Sequence, residues 1–495
     1  MLTAPRLGLA TLAAVPRESR PRVDARSLRV GIVHLGIGAF HRAHQAVYTE
    51  DAIAAAGGDW GICGVTERSR AVVDDLAPQD GLYTVAVRDG GGESLHVVGS
   101  VRELLWAHAD LPGLLERIAA PTTHVISLTV TEKGYRHDPA TGRLALEDPE
   151  IAADLDGRAP RTVVGQLARG LERRRRDSGA PVTVVCCDNL PANGPLLSSL
   201  VRDFAARIDA GDGLVGWIDD SVRFPATMVD RITPAATADD RADVAAALGV
   251  RDAGVVVTEP FRQWVIEDDF AGPRPAWERA GAILTGDVRP YEDVKLRMLN
   301  GAHSTIAYLG ALAGYELVAD AVAPATPFAP VLRALMTDDV IPTLRAPAGF
   351  DLGAYEDELM ERFANPALRH RTLQIAIDGS QKLPQRLLGT VRDRLRAGAE
   401  PAMAALGVAA WMRFVSARRS DGGRPLPVDD PLADVIAHRL GGAEDPGSVV
   451  AGLLSLTEVF DPELAAEPGF RRLVQEHLEM LTRDGAELTA RRLLR

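Results

Sequence analysis

The sequence predicts an α/β unit followed by an almost wholly α-helical one. Three observations lead there. From residue 27 to about residue 289, short β-rich apolar runs alternate with stretches of helical periodicity, the pattern of a sheet with helices packed on it. Beyond Arg289-Pro290 the strand signal vanishes and apolar residues recur at helical spacing. The chain has 495 residues, too many for one hydrophobic core, so two domains are expected, residues 1–289 and 290–495.

The elements follow in order. Residues 27–35 (SLRVGIVHL) form a β-rich run ending in glycines, and residues 39–56 look helical. Residues 60–66 (WGICGVT) are a second apolar run. Residues 83–88 and 94–101 flank a Gly-rich tip (DGGGE) and predict a β-hairpin. Residues 124–131 and 182–187 suit buried parallel strands, with a helix over 162–175 between them. In the second half, helices are expected over 293–312, 330–336, 354–363, 432–440 and 468–480. Pro- and Gly-rich pieces such as residues 422–431 separate them.

Composition excludes several function classes. A net charge of -13 repels phosphate backbones and anionic membranes, so no nucleic-acid partner is expected. No run approaches the roughly 20 apolar residues of a membrane helix. The apolar part of the first 20 residues is short and broken by Pro5 and Pro16, which reads as an irregular leader lying on the domain rather than a signal peptide. Cys63, Cys186 and Cys187 make no disulfide framework, and C-x-x-C spacing is absent, so a reducing cytoplasm is expected. The run Arg173 to Arg176 ends a predicted helix and reads as a solvated helix end, where cations complement the dipole.

Two constellations carry chemistry. Gly36-Ile37-Gly38-Ala39-Phe40 follows the first strand. Gly36 permits a tight turn, Gly38 lets a pyrophosphate approach the backbone, and the next helix would turn its first amides to the phosphates. His41 stands where the third glycine of G-x-G-x-x-G belongs. The second strand ends at Thr66-Glu67-Arg68, where an acidic residue would bind the adenosine ribose hydroxyls, so NAD is expected over NADP; Arg68 is the residue that could favour a 2′-phosphate instead.

The second constellation is the segment 292–309, EDVKLRMLNGAHSTIAYL. On an α-helix Lys295, Asn300 and His303 fall at about 0°, 140° and 80°, one broad polar side. A buried lysine can remove a hydroxyl proton as hydride leaves the carbon. An asparagine amide can donate to the developing alkoxide, and a histidine can hold the lysine or a substrate hydroxyl. Neither H-E-x-x-H nor C-x-x-C spacing occurs, and no catalytic metal is expected.

These residues resemble a known family. KLRMLNGAH resembles the signature of the long-chain mannitol dehydrogenases, and HLGIGAFHRAHQA their nucleotide-binding segment. The resemblance implies a Rossmann-type domain followed by a helical domain, with the site in the cleft between them. It implies Lys295 as general base, Asn300 polarising the reacting oxygen, His303 orienting the substrate, and no metal. CCDNLPANG resembles a segment supplying a second oxyanion donor, assigned to Asn189 with Asn193 as the substitute, and MVDRITPAA places Asp230 at a substrate-site acid.

SLTVTEKGY, EPFRQWVIEDDF and LRHRTLQIAIDGSQKLPQRLL are most similar to the fructuronate reductase branch. Mannitol-oxidising relatives carry an arginine four residues before the aspartate of the DGS segment; here Gln374 stands there, after Arg369, His370 and Arg371. Lys382 matches a substrate-binding lysine of the family. A uronate carries a carboxylate that a polyol lacks, and Arg371, Lys382 and Arg386 are the local cations suited to it. Arg262 and Trp264 are also offered by EPFRQW. The implied partner is a sugar acid or polyol, in a monomer or small homo-oligomer. A mannitol 2-dehydrogenase or related polyol enzyme is the alternative, keeping the base and changing the pocket. A sensor that binds NADH without turnover would have no use for Lys295 and Asn300 together.

Overall fold

The computed structural model of the protein describes residues 4–138, 141–209, 211 and 213–495. The chain divides into two compact units, Met1–Arg289 and Pro290–Arg495.

The first unit carries strands β1 (Val30–Leu35), β2 (Gly61–Thr66), β3 (Tyr83–Asp89), β4 (Gly92–Val98), β5 (Val101–Trp106), β6 (Val125–Leu128), β7 (Val182–Cys186), β8 (Val222–Arg223), β9 (Thr227–Asp230), β10 (Val256–Thr258), β11 (Gln263–Glu267) and β12 (Ile283–Thr285). Six of them form a sheet in the order β5-β2-β1-β6-β7-β8, every neighbouring pair parallel. Counted along the chain, that is the 3-2-1-4-5-6 order of a doubly wound dinucleotide fold, with the switch point between β1 and β6. β1, β2, β6 and β7 are buried at every position, which is why their sequences run apolar without alternation.

The expected hairpin forms between β3 and β4, in register from Tyr83 opposite Val98 to Asp89 opposite Gly92. Its second strand stops at Val98, however, and Val101 opens β5, which joins the main sheet beside β2. A run read as one strand therefore serves two sheets.

Two further expectations are corrected. The helix over 39–56 is broken: Ala39–Ala43 and Gln45–Ala56 meet at His44, whose φ of -120° and ψ of -87° interrupt the helical path. The run Arg173 to Arg176 is not simply a solvated helix end. Arg174 is fully buried and donates to the carbonyls of Ile118, Ala120, Ala180 and Pro181 at 2.7–3.0 Å. Burial lowers its pKa to about 10. Its neighbours are paired, Arg173 and Arg176 with Asp177 and Arg175 with Asp209, so no free basic stripe exists.

The second unit has only helices among its described residues. At its centre lies Ala402–Ala417, packed against Gly301–Ala313 and Pro468–Asp484. That helix is apolar nearly all round, so helical periodicity gives no sign of it in the sequence. Its N-terminal amides at Met403 and Ala404 donate to Asp339 Oδ2, each at 2.8 Å. Three segments of the unit are π-helical, Lys295–Asn300, Leu335–Val340 and Pro384–Leu388.

Candidate active site

In the first unit the glycine turn is built for close approach. Gly36 has φ +95°, and a Cβ there would stand 2.1 Å from the Thr129 carbonyl oxygen on the neighbouring strand's exit. The turn is held to β2: Gly36 N and Ile37 N both donate to Val65 O, at 2.9 and 3.0 Å. At Gly38 a Cβ would meet nothing closer than 3.8 Å, leaving open space over the turn where a pyrophosphate would sit. The short helix Ala39–Ala43 follows directly, with Phe40 stacked on His44 at 5.0 Å.

His41, in the place of the third glycine, lies inside rather than over the turn. It is buried and stacks on His34 with ring centroids 3.4 Å apart. His34 is satisfied by Ser127 Oγ at 2.8 Å and Thr129 Oγ1 at 2.9 Å. Burial holds His34 at a pKa of about 3 and His41 well below the ordinary value, where the nearby His34 charge would also oppose protonation. The turn thus rests on two neutral imidazoles.

Glu67 follows β2 as expected, with Arg68 exposed beside it. Neither Glu67 carboxylate oxygen has a hydrogen-bond partner among the described residues. Burial raises its pKa to about 7, offset in part by the nearby Gln166 side chain. A buried acceptor with nothing to accept is what a ribose hydroxyl would satisfy, so the turn and Glu67 fit a dinucleotide.

The CCDNLPANG segment leaves β7. Asp188 is pinned by Val130 N and Thr131 N, each at 2.9 Å, and by the Tyr135 hydroxyl. Burial raises its pKa. Asn193 is buried and committed: Nδ2 donates to Asp188 O at 3.0 Å and Thr227 O at 2.9 Å, and Oδ1 accepts from Thr227 N at 2.9 Å. Both of its N–H donors are consumed by the backbone, so it has none to offer an oxyanion. Asn189 is exposed next to the fixed Asp188. Asp230 is buried at the end of β9, opposite Gln263. Arg262 stacks over Tyr48 at 4.4 Å and pairs with Asp51 at 2.7 Å, and Trp264 packs on Trp277 at 4.6 Å. Their engaged side chains are accounted for by packing.

In the second unit the lysine segment departs from the expected α-helix. Arg289–Val294 is α-helical, Lys295–Asn300 is π-helical, and Gly301–Ala313 is α-helical again. Gly301 N donates to Leu296 O, a step of five residues. In such a turn residue i+5 comes back over residue i. Lys295 and Asn300, five apart, therefore share a face more closely than the 140° of an α-helix. His303 lies three residues on, on the same face as Asn300. The three are 7, 8 and 7 % exposed. Asn300 Nδ2 and His303 Nε2 have no hydrogen-bond partner among the described residues.

His303 packs on Phe363 at 4.6 Å and edge-on to His370 at 5.2 Å. Burial keeps its pKa well below the ordinary value, reinforced by His370, Arg362, Arg386 and Lys382. It is a neutral imidazole in a cationic surround. Lys382 Nζ donates to the carbonyls of Ile375 and Ile377, and Arg386 Nη1 to Ser304 Oγ at 3.1 Å. Arg371 is not among these cations. Its side chain is 69 % exposed and faces Glu316 at 3.8 Å, which also pairs with Arg424 at 2.7 Å. Gln374 and Arg371 instead line a separate open cavity of about 640 Å³ with Glu316, Arg424 and Asp429. The missed cation is Arg362, buried on the helix Leu352–Phe363, where local spacing reads it as a surface arginine. Among the described residues no group of three His, Cys, Asp or Glu is gathered as a metal site, and no helix is long and apolar enough to cross a membrane.

Comparison with known proteins covers nearly the whole chain. Residues 30–279 match the mannitol dehydrogenase Rossmann domain and residues 287–482 the mannitol dehydrogenase C-terminal domain. The chain is 44 % identical to an uncharacterised oxidoreductase of Escherichia coli over 469 residues, covering 94 % of this chain and 95 % of that one. It is 44 % identical to the D-mannonate oxidoreductase of the same organism over 474 residues, covering 94 % and 96 %. Among solved structures it is similar to Pseudomonas fluorescens mannitol 2-dehydrogenase in a ternary complex with NAD and D-mannitol, with a TM-score of 0.90, 36 % identity and 99 % of both chains covered.

Proposed function

The chain belongs to the mannitol dehydrogenase family of oxidoreductases, and we propose that it is an NAD-dependent fructuronate reductase, interconverting D-mannonate and D-fructuronate. The observation that carries the substrate class is the 44 % identity to a D-mannonate oxidoreductase over 94 % of this chain and 96 % of that one. Arg362, Lys382 and Arg386, whose charges bear on the buried His303 in the unit that holds Lys295, are cations suited to a uronate carboxylate.

The chemistry divides as follows. Bound nicotinamide supplies the hydride acceptor in oxidation and the donor in reduction. Lys295 takes the hydroxyl proton as the carbinol carbon loses hydride, and returns it to the oxygen in the reverse direction. Asn300 Nδ2 donates to the oxygen as charge develops on it. His303, held neutral, does not act as an acid; its Nε2 positions a substrate hydroxyl. Asn189 is the second donor to the reacting oxygen, since Asn193 has no donor left, and Asp230 is the substrate-site acid. Gly36, Ile37, Gly38, Ala39 and Phe40 hold the pyrophosphate end of NAD and Glu67 its ribose hydroxyls.

A second reading, a mannitol 2-dehydrogenase or related polyol enzyme, is favoured by the exposure of Arg371, which leaves no arginine fork at that position for a carboxylate. The test of the catalytic assignment is Lys295→Ala. Turnover should fall by about 10² to 10⁴-fold, the typical value of general acid–base help, while the NADH dissociation constant stays largely unchanged. A loss under about threefold, set against that range, removes Lys295 from the mechanism.

A further inference from the structure

Between Lys295 and Asn300 the π-helical turn contains an arginine that the chemistry above does not use. Arg297 is only 18 % exposed. Its Nη1 donates to Asp393 Oδ2 at 2.6 Å and to Thr343 Oγ1 at 3.0 Å. Both acceptors lie just beyond the other π-helical segments. Thr343 lies three residues beyond Leu335–Val340 and donates back to the carbonyl of Val340, its last residue, at 2.7 Å. Asp393 lies on Gly389–Arg396, the helix that continues Pro384–Leu388. One guanidinium therefore links the wide turn at Lys295–Asn300 to the segments that directly follow the other two.

The end of the same turn is fixed independently. A Cβ on Gly301 would stand 2.9 Å from the Arg386 carbonyl oxygen, so the residue that follows the turn lies close against the backbone of the π-helical segment Pro384–Leu388. A π-helical turn is a poor local minimum and persists where tertiary contacts hold it. Relaxation to an α-helix would turn Lys295 away from Asn300 by about 140°.

We propose that Arg297 is a positioning residue for the reaction: clamped by Asp393 and Thr343, it holds the wide turn that sets Lys295 and Asn300 on one face. This rests on the roles assigned above to those two residues. With its guanidinium engaged by Asp393 and Thr343, Arg297 acts through the register of the turn.

The experiment compares Arg297→Met, Arg297→Lys, Asp393→Asn and the double variant Arg297→Met/Asp393→Asn with Lys295→Ala, using D-fructuronate and NADH. For each, kcat, KM, the kcat–pH profile, the NADH dissociation constant and Tm are measured. Arg297→Met should lower kcat by about 10²-fold, the cost typical of a displacement of about 1 Å in reacting geometry. It should shift the ionisation seen in the kcat–pH profile, because the surroundings of Lys295 change, and leave NADH binding within about twofold. The lysine variant, which keeps a donor, should recover most of kcat, and the double variant should be no worse than Arg297→Met alone. If Lys295→Ala is inactive while Arg297→Met and Asp393→Asn keep the wild-type kcat and pH profile, whatever their Tm, the positioning role is wrong. If Lys295→Ala itself stays active, the catalytic reading fails with it. Should Arg297→Met not fold, Asp393→Asn and Arg297→Lys decide the matter by the same readouts.

Discussion

Asn300→Leu separates a catalytic donor from a structural one. Asn300 is 8 % exposed and its Nδ2 has no partner among the described residues. A buried donor without an acceptor costs about 1–3 kcal/mol. Leucine keeps the branching without that group but is larger, and extra bulk in a packed core costs about 1–3 kcal/mol. The two effects oppose each other, so Tm should stay nearly level, taking about 2–4 °C per kcal/mol for a unit of this size. Activity should move the other way. Removing one donor to a developing oxyanion typically lowers kcat by about 10² to 10³-fold. The assay is NADH absorbance decay at saturating D-fructuronate, with circular dichroism for Tm. A kcat within threefold of wild type would refute the donor role, judged against that range. A drop in Tm of more than about 4 °C would show that Asn300 holds the fold, contrary to its unsatisfied amide.

Three further outcomes follow from the same geometry. The folded protein keeps His34 at a pKa of about 3 and His370 and His477 at about 4, below the 6.5 of the unfolded chain. Below pH 6.5 only the unfolded chain binds these protons, so stability is full above that pH and falls as pH drops toward 4, by about 1.4 kcal/mol per pH unit for each histidine. Urea unfolding at pH 7, 6 and 5 checks this, and a flat profile contradicts it. NADH should give a higher kcat/KM than NADPH, because Glu67 would repel a 2′-phosphate; the reverse preference would put Arg68 in charge of the ribose site. Activity should survive exhaustive chelation, since on the proposed mechanism Lys295 would do the work of a Lewis acid; loss that zinc restores would reject the lysine mechanism.

The parts of the fold that local chemistry determines were readable from the chain. The first strand and its turn were legible because Gly36 occupies φ +95° against a backbone carbonyl, a place closed to other residues. The parallel strands were legible because burial on both faces demands continuous apolar runs. What escaped depends on distant partners. A buried arginine such as Arg174 looks like its three surface neighbours until the carbonyls of Ile118, Ala120, Ala180 and Pro181 are placed around it. The π-helical turn at Lys295–Asn300 escaped because its apolar spacing also suits an α-helix, and Asp393 and Thr343, which hold Arg297, lie far along the chain. The same holds for the candidate site. Lys295, Asn300 and His303 were legible as a set, whereas Arg371 and Arg362 exchanged roles as exposed and buried cations through tertiary packing that spacing does not encode.

The central claim, a carboxylate-bearing substrate, is tested most directly by kcat/KM of the wild-type enzyme for D-fructuronate and D-fructose with NADH. The two differ in carboxylate against hydroxymethyl at the end away from the keto group. Each charge-assisted hydrogen bond to the carboxylate stabilises the complex by about 1.5–3 kcal/mol, and fructose offers no charged acceptor at that end. One such bond alone corresponds to at least about tenfold, since about 1.4 kcal/mol is a factor of ten. D-fructuronate should therefore be preferred by tenfold or more, with Lys382→Met and Arg386→Leu narrowing the gap and Arg371→Leu leaving it, given its exposure. Equal use of fructose or mannitol by the wild-type enzyme would contradict the carboxylate site and establish the polyol reading.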